Sequence, residues 1–148
     1  MKYLLMLMVF LSAEKSCDKQ QSLPLKSANS QAWSGGAAGS GRGVNYEIVL
    51  GIQNQPDYTF DSLWVNERRV RVEVNERKSA GDSLVLSATD MSQSIRNMQD
   101  YEKQAEEVKP IPFPVPVSAE GILGYFYKGK RQYLVIQSWT KLKPLYYP

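Results

Sequence analysis

The sequence predicts an all-β protein, an antiparallel β-sandwich, and three observations carry that prediction. Val44, Tyr46, Ile48, Leu50 and Ile52 alternate with their neighbours, which places every second side chain on one face of an extended chain. Val70, Val72 and Val74 repeat the pattern, with Arg69, Arg71 and Glu73 on the opposite face. Turn-forming residues then recur at short intervals, as in Gln53–Asp57, Asn66-Glu67-Arg68, Ala80-Gly81-Asp82 and Lys128–Arg131. The repeated strand–helix alternation that a parallel α/β fold requires is missing. A small antiparallel barrel is the alternative arrangement of the same strands.

The elements follow in order. The first strand spans 44–52. Aromatic and branched residues give a second strand over 59–65, and the three valines give a third over 69–74. Leu84 and Leu86 mark a short strand over 83–87. Between 90 and 108 the rhythm changes to an insertion: Met91, Ile95, Met98, Ala105 and Val108 recur three or four residues apart, and Asp90 and Gln93 are spaced like a capping box. A short helix over 92–107 is expected there, with a long polar loop as the alternative. Pro110, Pro112, Pro114 and Pro116 come next. In an extended chain their donor-less nitrogens share one edge, so the run reads as a blunted sheet edge, with a free polyproline segment as the alternative. Residues 120–127 and 132–139 flank Gly129 as a hairpin, and the apolar tail Leu145-Tyr146-Tyr147 is expected to pack on the sheet. The sandwich is immunoglobulin-like by analogy only, since the combined disulfide-and-tryptophan signature of antibody domains is absent.

The amino terminus reads as an address. Lys2 precedes the unbroken apolar run Tyr3–Leu11, and small residues follow, which is the layout of a secretory signal peptide over 1–16. The run is too short for a bilayer-spanning helix, and Glu14 and Lys15 end it. Residues 17–43, polar and then Gly/Ser-rich, read as a flexible tether, and 44–148 as the β domain. Trp33 is the one residue that such a tether would waste, so it is expected to dock on the domain. Gly36 and Gly41 have phosphate-loop spacing. Arg42 and Gly43 then stand where Lys and Ser/Thr would be needed, and a strand follows where a helix should.

Composition excludes whole chemistries. The 148 residues carry 18 Lys+Arg and 15 Asp+Glu, a net charge of +3, in clusters that mix both signs. No basic face for nucleic acid is expected. There is no histidine and one cysteine. Histidine-based triads, zinc sites built from Cys and His, and an intrachain disulfide are therefore outside its reach. No metal and no cofactor are expected.

Cys17, preceded by Ser16 at the end of the signal-like run, resembles the lipid-attachment cysteine of bacterial lipoproteins, although Glu14 and Lys15 depart from that family's usual aliphatic and small residues. The resemblance implies cleavage before Cys17 and its acylation. Cleavage after Ala13, leaving a soluble exported protein, is the rival reading. With the tether, the β domain and the closing strand Tyr133-Leu134-Val135-Ile136, the chain looks like small envelope lipoproteins of the Bacteroidetes type. That likeness implies a periplasmic or outer-membrane location and a membrane partner through the anchor, and brings no catalytic motif.

Three function classes follow. A non-catalytic envelope module that binds or scaffolds, with an envelope protein or a glycan as partner, is the expected one. A glycosidase using two of Glu47, Asp57, Asp61 and Glu120 would need two carboxylates facing each other across a cleft. A sugar-binding module would need Trp33, Trp64, Trp139 or the tyrosines in a flat exposed row.

Overall fold

The computed structural model describes residues 23–36, 41–53, 56–92 and 110–148, and every regular element among them is a β-strand. The strands are β1 (Leu25–Gly35), β2 (Arg42–Leu50), β3 (Tyr58–Val65), β4 (Arg68–Val74), β5 (Leu84–Ser92), β6 (Gly121–Tyr127), β7 (Lys130–Ile136), β8 (Thr140–Lys141) and β9 (Leu145–Tyr147). They form one open sheet in the order β7-β6-β3-β4-β5-β2-β1-β8, with β9 also on β1. All pairings are antiparallel except those of β8 and β9, which run parallel to β1.

β4 turns the corner of this sheet. Arg68–Arg71 pair with β3, whereas Val72–Val74 pair with β5. A strand that changes partner halfway lets one sheet fold into two facing layers. Leu63 and Val65 of β3, Leu123 and Tyr125 of β6 and Ile136 of β7 point inward from one layer. Ala28, Tyr46, Ile48, Leu50, Val72, Leu86 and Ala88 meet them from the other. The period-two spacing within β2, β5 and β6 gives one continuous core, so the sandwich predicted from alternation is the fold. The barrel alternative is not realised, because no ladder joins β7 to β8 or β9 among the described residues. Yet Gln137, Ser138 and Trp139 alone link β7 to β8, at opposite ends of the strand order. A link that short spans at most about 14 Å, so the sheet must curl until its two edges nearly meet.

Tight turns set the registers. Lys128 and Gly129 both have positive φ (48° and 78°), the two-residue turn that matches the twist of β6 and β7. The hairpin therefore closes at Lys130, two residues earlier than the sequence suggests. Asn66 and Glu67 (φ 47° and 58°) join β3 to β4 in the same way.

Three expectations need correction. First, the span 17–43 is not a tether throughout. Leu25–Gly35 form β1, and Arg42 and Gly43 already belong to β2. β1 pairs with β2 from Leu25↔Leu50 to Ser34↔Arg42, so its backbone ladder holds it rather than large apolar side chains. Trp33 does dock on the domain. It pairs across from Gly43, its ring meets Tyr147 edge-on at 6.3 Å, and a Cβ on Gly43 would fall 2.9 Å from its indole nitrogen.

Second, Asp90 does not open a helix: it lies within β5, opposite Val44, and β5 continues to Ser92. The rest of the helix expected over 92–107 lies outside the described residues, as do Cys17 and the signal-like run. Third, the proline run is not a sheet edge. The edges are β7 on one side and β8 with β9 on the other. Ile111 donates its N–H to the Glu67 carbonyl (2.7 Å), and Val117 donates across Pro116 to the Val115 carbonyl (2.9 Å). Four prolines deny the run the regular donors of a ladder, so it crosses one end of the sandwich as an irregular strap. The tail joins the sheet in its plane, as β9, and leaves Tyr146 78% exposed.

Candidate functional site

The two ends of the sandwich differ. At one end Tyr58, Phe60, Tyr125 and Tyr127 close the core with ring centroids between 4.7 and 6.2 Å apart. At the other end runs the strap, tied to the β3–β4 turn by the Ile111 N–H to Glu67 carbonyl hydrogen bond. Between strap and sheet lies a groove of about 1370 Å³. Pockets for drug-sized ligands occupy roughly 300–1,000 Å³, so this one has room for a larger or longer molecule.

Each wall comes from a local rule. Ser30 and Ala32 of β1 and Val44 and Tyr46 of β2 form the floor, continuing the rows of Ala28 and Ile48 along the two strands. Asn66 and Glu67 stand at the β3–β4 turn, and the strap from Ile111 to Ala119 forms the roof. Trp139, Lys141, Leu142 and Pro144 complete the far wall.

Trp139 is fixed on three sides. Its backbone N–H donates to the Glu120 carboxylate (2.9 Å), its indole N–H to the Glu120 carbonyl (3.3 Å), and its ring packs on Tyr46 at 4.8 Å. A Cβ on Gly121 would fall 2.8 Å from that ring, so the close approach depends on glycine. The Tyr46 hydroxyl accepts from Asn66 Nδ2 (3.1 Å). Burial pushes the phenol up from its ordinary value and the nearby Asp90 charge adds to this, outweighing the Asn66 hydrogen bond and Arg68, so it stays neutral at physiological pH. Asp90 itself is buried, with Arg68 Nη1 2.8 Å from its Oδ1, an ion-pair approach without hydrogen-bond alignment.

The residues singled out by sequence are scattered. Glu47 is ion-paired with Lys78 across the outer face of β2. Asp57 lies in the turn before β3, its carbonyl accepting from the Lys128 N–H at 2.9 Å. Asp61 binds Arg131 (2.8 Å) and Arg69 (3.3 Å). Glu120 alone of the four lines the groove, beside Glu67, which no sequence pattern marks as a site residue. The tryptophans form no common row: Trp33 meets Tyr147, Trp64 lies between Arg69 and Arg131, and Trp139 tilts 56° to Tyr46. Among the described residues no group of three His, Cys, Asp or Glu side chains could hold a metal. The groove escapes a reading of the sequence because its walls come from five separate segments. The one local hint is Phe113, a large apolar residue inside a run that cannot join a ladder.

A second cluster lies on the outer face. Arg69 and Arg131 sit 5.2 and 5.6 Å from the Trp64 ring, with Asp61 bridging them. Burial alone would raise the Asp61 carboxyl. Hydrogen bonds from Arg131 and Ser62, with the charges of Arg131 and Arg69, outweigh it and hold the group below its ordinary value. A carboxyl lowered by folding contributes stability above its unfolded pKa and loses it as pH falls through the folded value. Asp61→Asn should therefore cost about 1 kcal/mol at neutral pH, a modest figure because both partners are partly solvated. The parent's advantage should shrink as pH falls below the ordinary carboxylate range and vanish once the folded group is itself protonated. Urea midpoints of both proteins at neutral and acid pH test this; a constant gap would disprove it.

The chain matches no family model, no curated protein and no solved structure.

Proposed function

We propose that this is a non-catalytic exported protein of the bacterial cell envelope, anchored through a lipid on Cys17, whose β domain is a binding module with the strapped groove as its site. The observation that carries this reading is the groove itself: an unfilled continuation of the core, walled by Val44, Phe113, Val115, Trp139 and Leu142, with Ser30, Asn66, Glu67, Ser118, Glu120 and Lys141 as polar groups along it. Apolar lining with a small number of placed polar groups is the common form of a ligand site. The carboxylate of Glu120 caps the Trp139 backbone, which supports a structural rather than a chemical task for it.

Two experiments test the proposal. Nile red, an uncharged apolar fluorophore, should bind the purified protein saturably and brighten. Phe113→Asp, on the strap and away from the sheet ladders, should weaken that binding about tenfold, the effect of replacing one apolar side chain over the dye with a hydrated charge. Unchanged binding would reject the groove as the site. For the anchor, the protein extracted from membranes should have the intact mass of a chain beginning at an acylated Cys17. Cys17→Ser should appear in the soluble fraction; a variant still in membranes with the same lipid mass would end the idea.

A further inference from the structure

We infer that this protein forms a two-fold dimer through β7, the strand of one copy pairing antiparallel with that of a second copy about an axis at Tyr133. The inference is independent of the groove. What points to it is the contrast between the two edges of the sheet. One edge is made of β8 and β9, strands of two and three residues, and edge strands that short offer little to pair with. The other edge is β7, seven residues long, whose ladder to β6 runs without a bulge from Tyr127↔Lys130 to Gly121↔Ile136. No charge and no proline interrupt residues 132–139, and the two cations of the strand, Lys130 and Arg131, stand together at one end. The devices that commonly block an edge are therefore missing along most of its length.

The turn before β7 fixes which of its backbone groups face outward. Lys128 and Gly129 both have positive φ, a turn in which the Lys130 N–H donates to the Tyr127 carbonyl. Hydrogen-bonded and non-hydrogen-bonded pairs alternate from there. Gln132, Leu134 and Ile136 thus turn their N–H and C=O toward β6, whereas Arg131, Tyr133 and Val135 turn theirs away from it. Among the described residues these three make no backbone hydrogen bond on the outward side. A row of donors and acceptors at strand spacing calls for another extended strand. A second copy supplies one that fits. Only with Tyr133 on the axis do all three outward residues meet outward residues: Arg131 pairs with Val135 of the partner subunit, and Tyr133 with the partner's Tyr133. Lys130 then lies opposite the partner's Ile136, so no like charges face each other. An axis at Arg131 would instead set two guanidinium groups together. The edge is also ordered in advance, because Tyr133 meets the Trp64 ring at 6.0 Å and Arg131 lies 5.6 Å from the same ring.

Sedimentation equilibrium of the full chain carrying Cys17→Ser, which removes any acyl contribution to association, should show a monomer–dimer equilibrium and no larger species. On that background, Val135→Pro deletes an outward N–H and leaves the donors of the β6 ladder in place. It should weaken the dimer about tenfold, for one hydrogen bond lost from each copy. Tyr133→Lys sets two ammonium groups face to face and should weaken it by a similar factor, the loss shrinking at high salt. This second variant decides the matter if the proline variant fails to fold. Register is read by oxidation. Tyr133→Cys brings two Cα atoms to about 5.5 Å and should give a disulfide-linked dimer, whereas Arg131→Cys leaves them about 13 Å apart and should not. A parent that stays monomeric, or a dimer unmoved by both Val135→Pro and Tyr133→Lys, would overturn the proposal. So would Arg131→Cys linking as readily as Tyr133→Cys, or open-ended oligomers, since two-fold pairing closes on itself.

Discussion

Val72→Asp is expected to destabilise the domain by roughly 4 kcal/mol, whereas Arg71→Asp, one residue earlier, should change its stability by no more than about 0.5 kcal/mol. Val72 is 4% exposed, pairs with Ala88 and faces the core cluster. A carboxylate there must either stay charged without a partner or take up a proton, and both cost free energy. Arg71 points the other way; its side chain is 85% exposed, with its Nε 3.6 Å from the Glu73 carboxylate. The contrast also probes the corner in β4, because Val72 is the first residue to pair with β5 after Arg71 has paired with β3. Urea denaturation of both variants checks it. Equal midpoints would show that the inward phase of β4 is wrong.

The strands that are legible in the sequence share a feature: their inward residues are large and their outward ones polar. β2 carries Tyr46, Ile48 and Leu50 inward, and β6 carries Leu123 and Tyr125. β5 is legible only in part, because its inward row runs from Leu84 and Leu86 to Ala88 and then to Asp90. A buried acid reads as a surface residue until Arg68, from another strand, is brought beside it. The strap misleads for a different reason. Alternating prolines do remove donors from one edge, but whether a sheet lies beside that edge depends on chain topology, which proline spacing does not encode. The site follows the same logic: Tyr46 and Trp139 are visible as aromatics, yet a groove exists only where the strap, the β3–β4 turn and the β8 edge converge on the floor they share.

β1 is the most instructive departure from expectation, and it yields the second large effect. Ala28 is its buried residue, Ser30 and Ala32 follow on the groove side, all too small to produce an apolar alternation, and Gly/Ser-rich sequence follows immediately. Composition therefore suggests a tether. The structure instead wedges β1 between β2 and the edge strands, where Ala28 is 7% exposed and lies opposite Ile48, itself 1% exposed. A small side chain suits this position because Ala28 lies in the core cluster directly opposite Ile48. Ala28→Glu should thus cost roughly 3–5 kcal/mol, combining overpacking with an unpaired buried charge. In a solvated tether the same substitution would be silent, since nothing there is buried on folding. A urea midpoint that falls steeply, together with slow amide exchange along Ala28–Gln31 in the parent, would establish β1 as part of the folded unit. An unchanged midpoint with fast exchange would return these residues to the tether, and would remove the wall from which Ser30 and Ala32 face the groove.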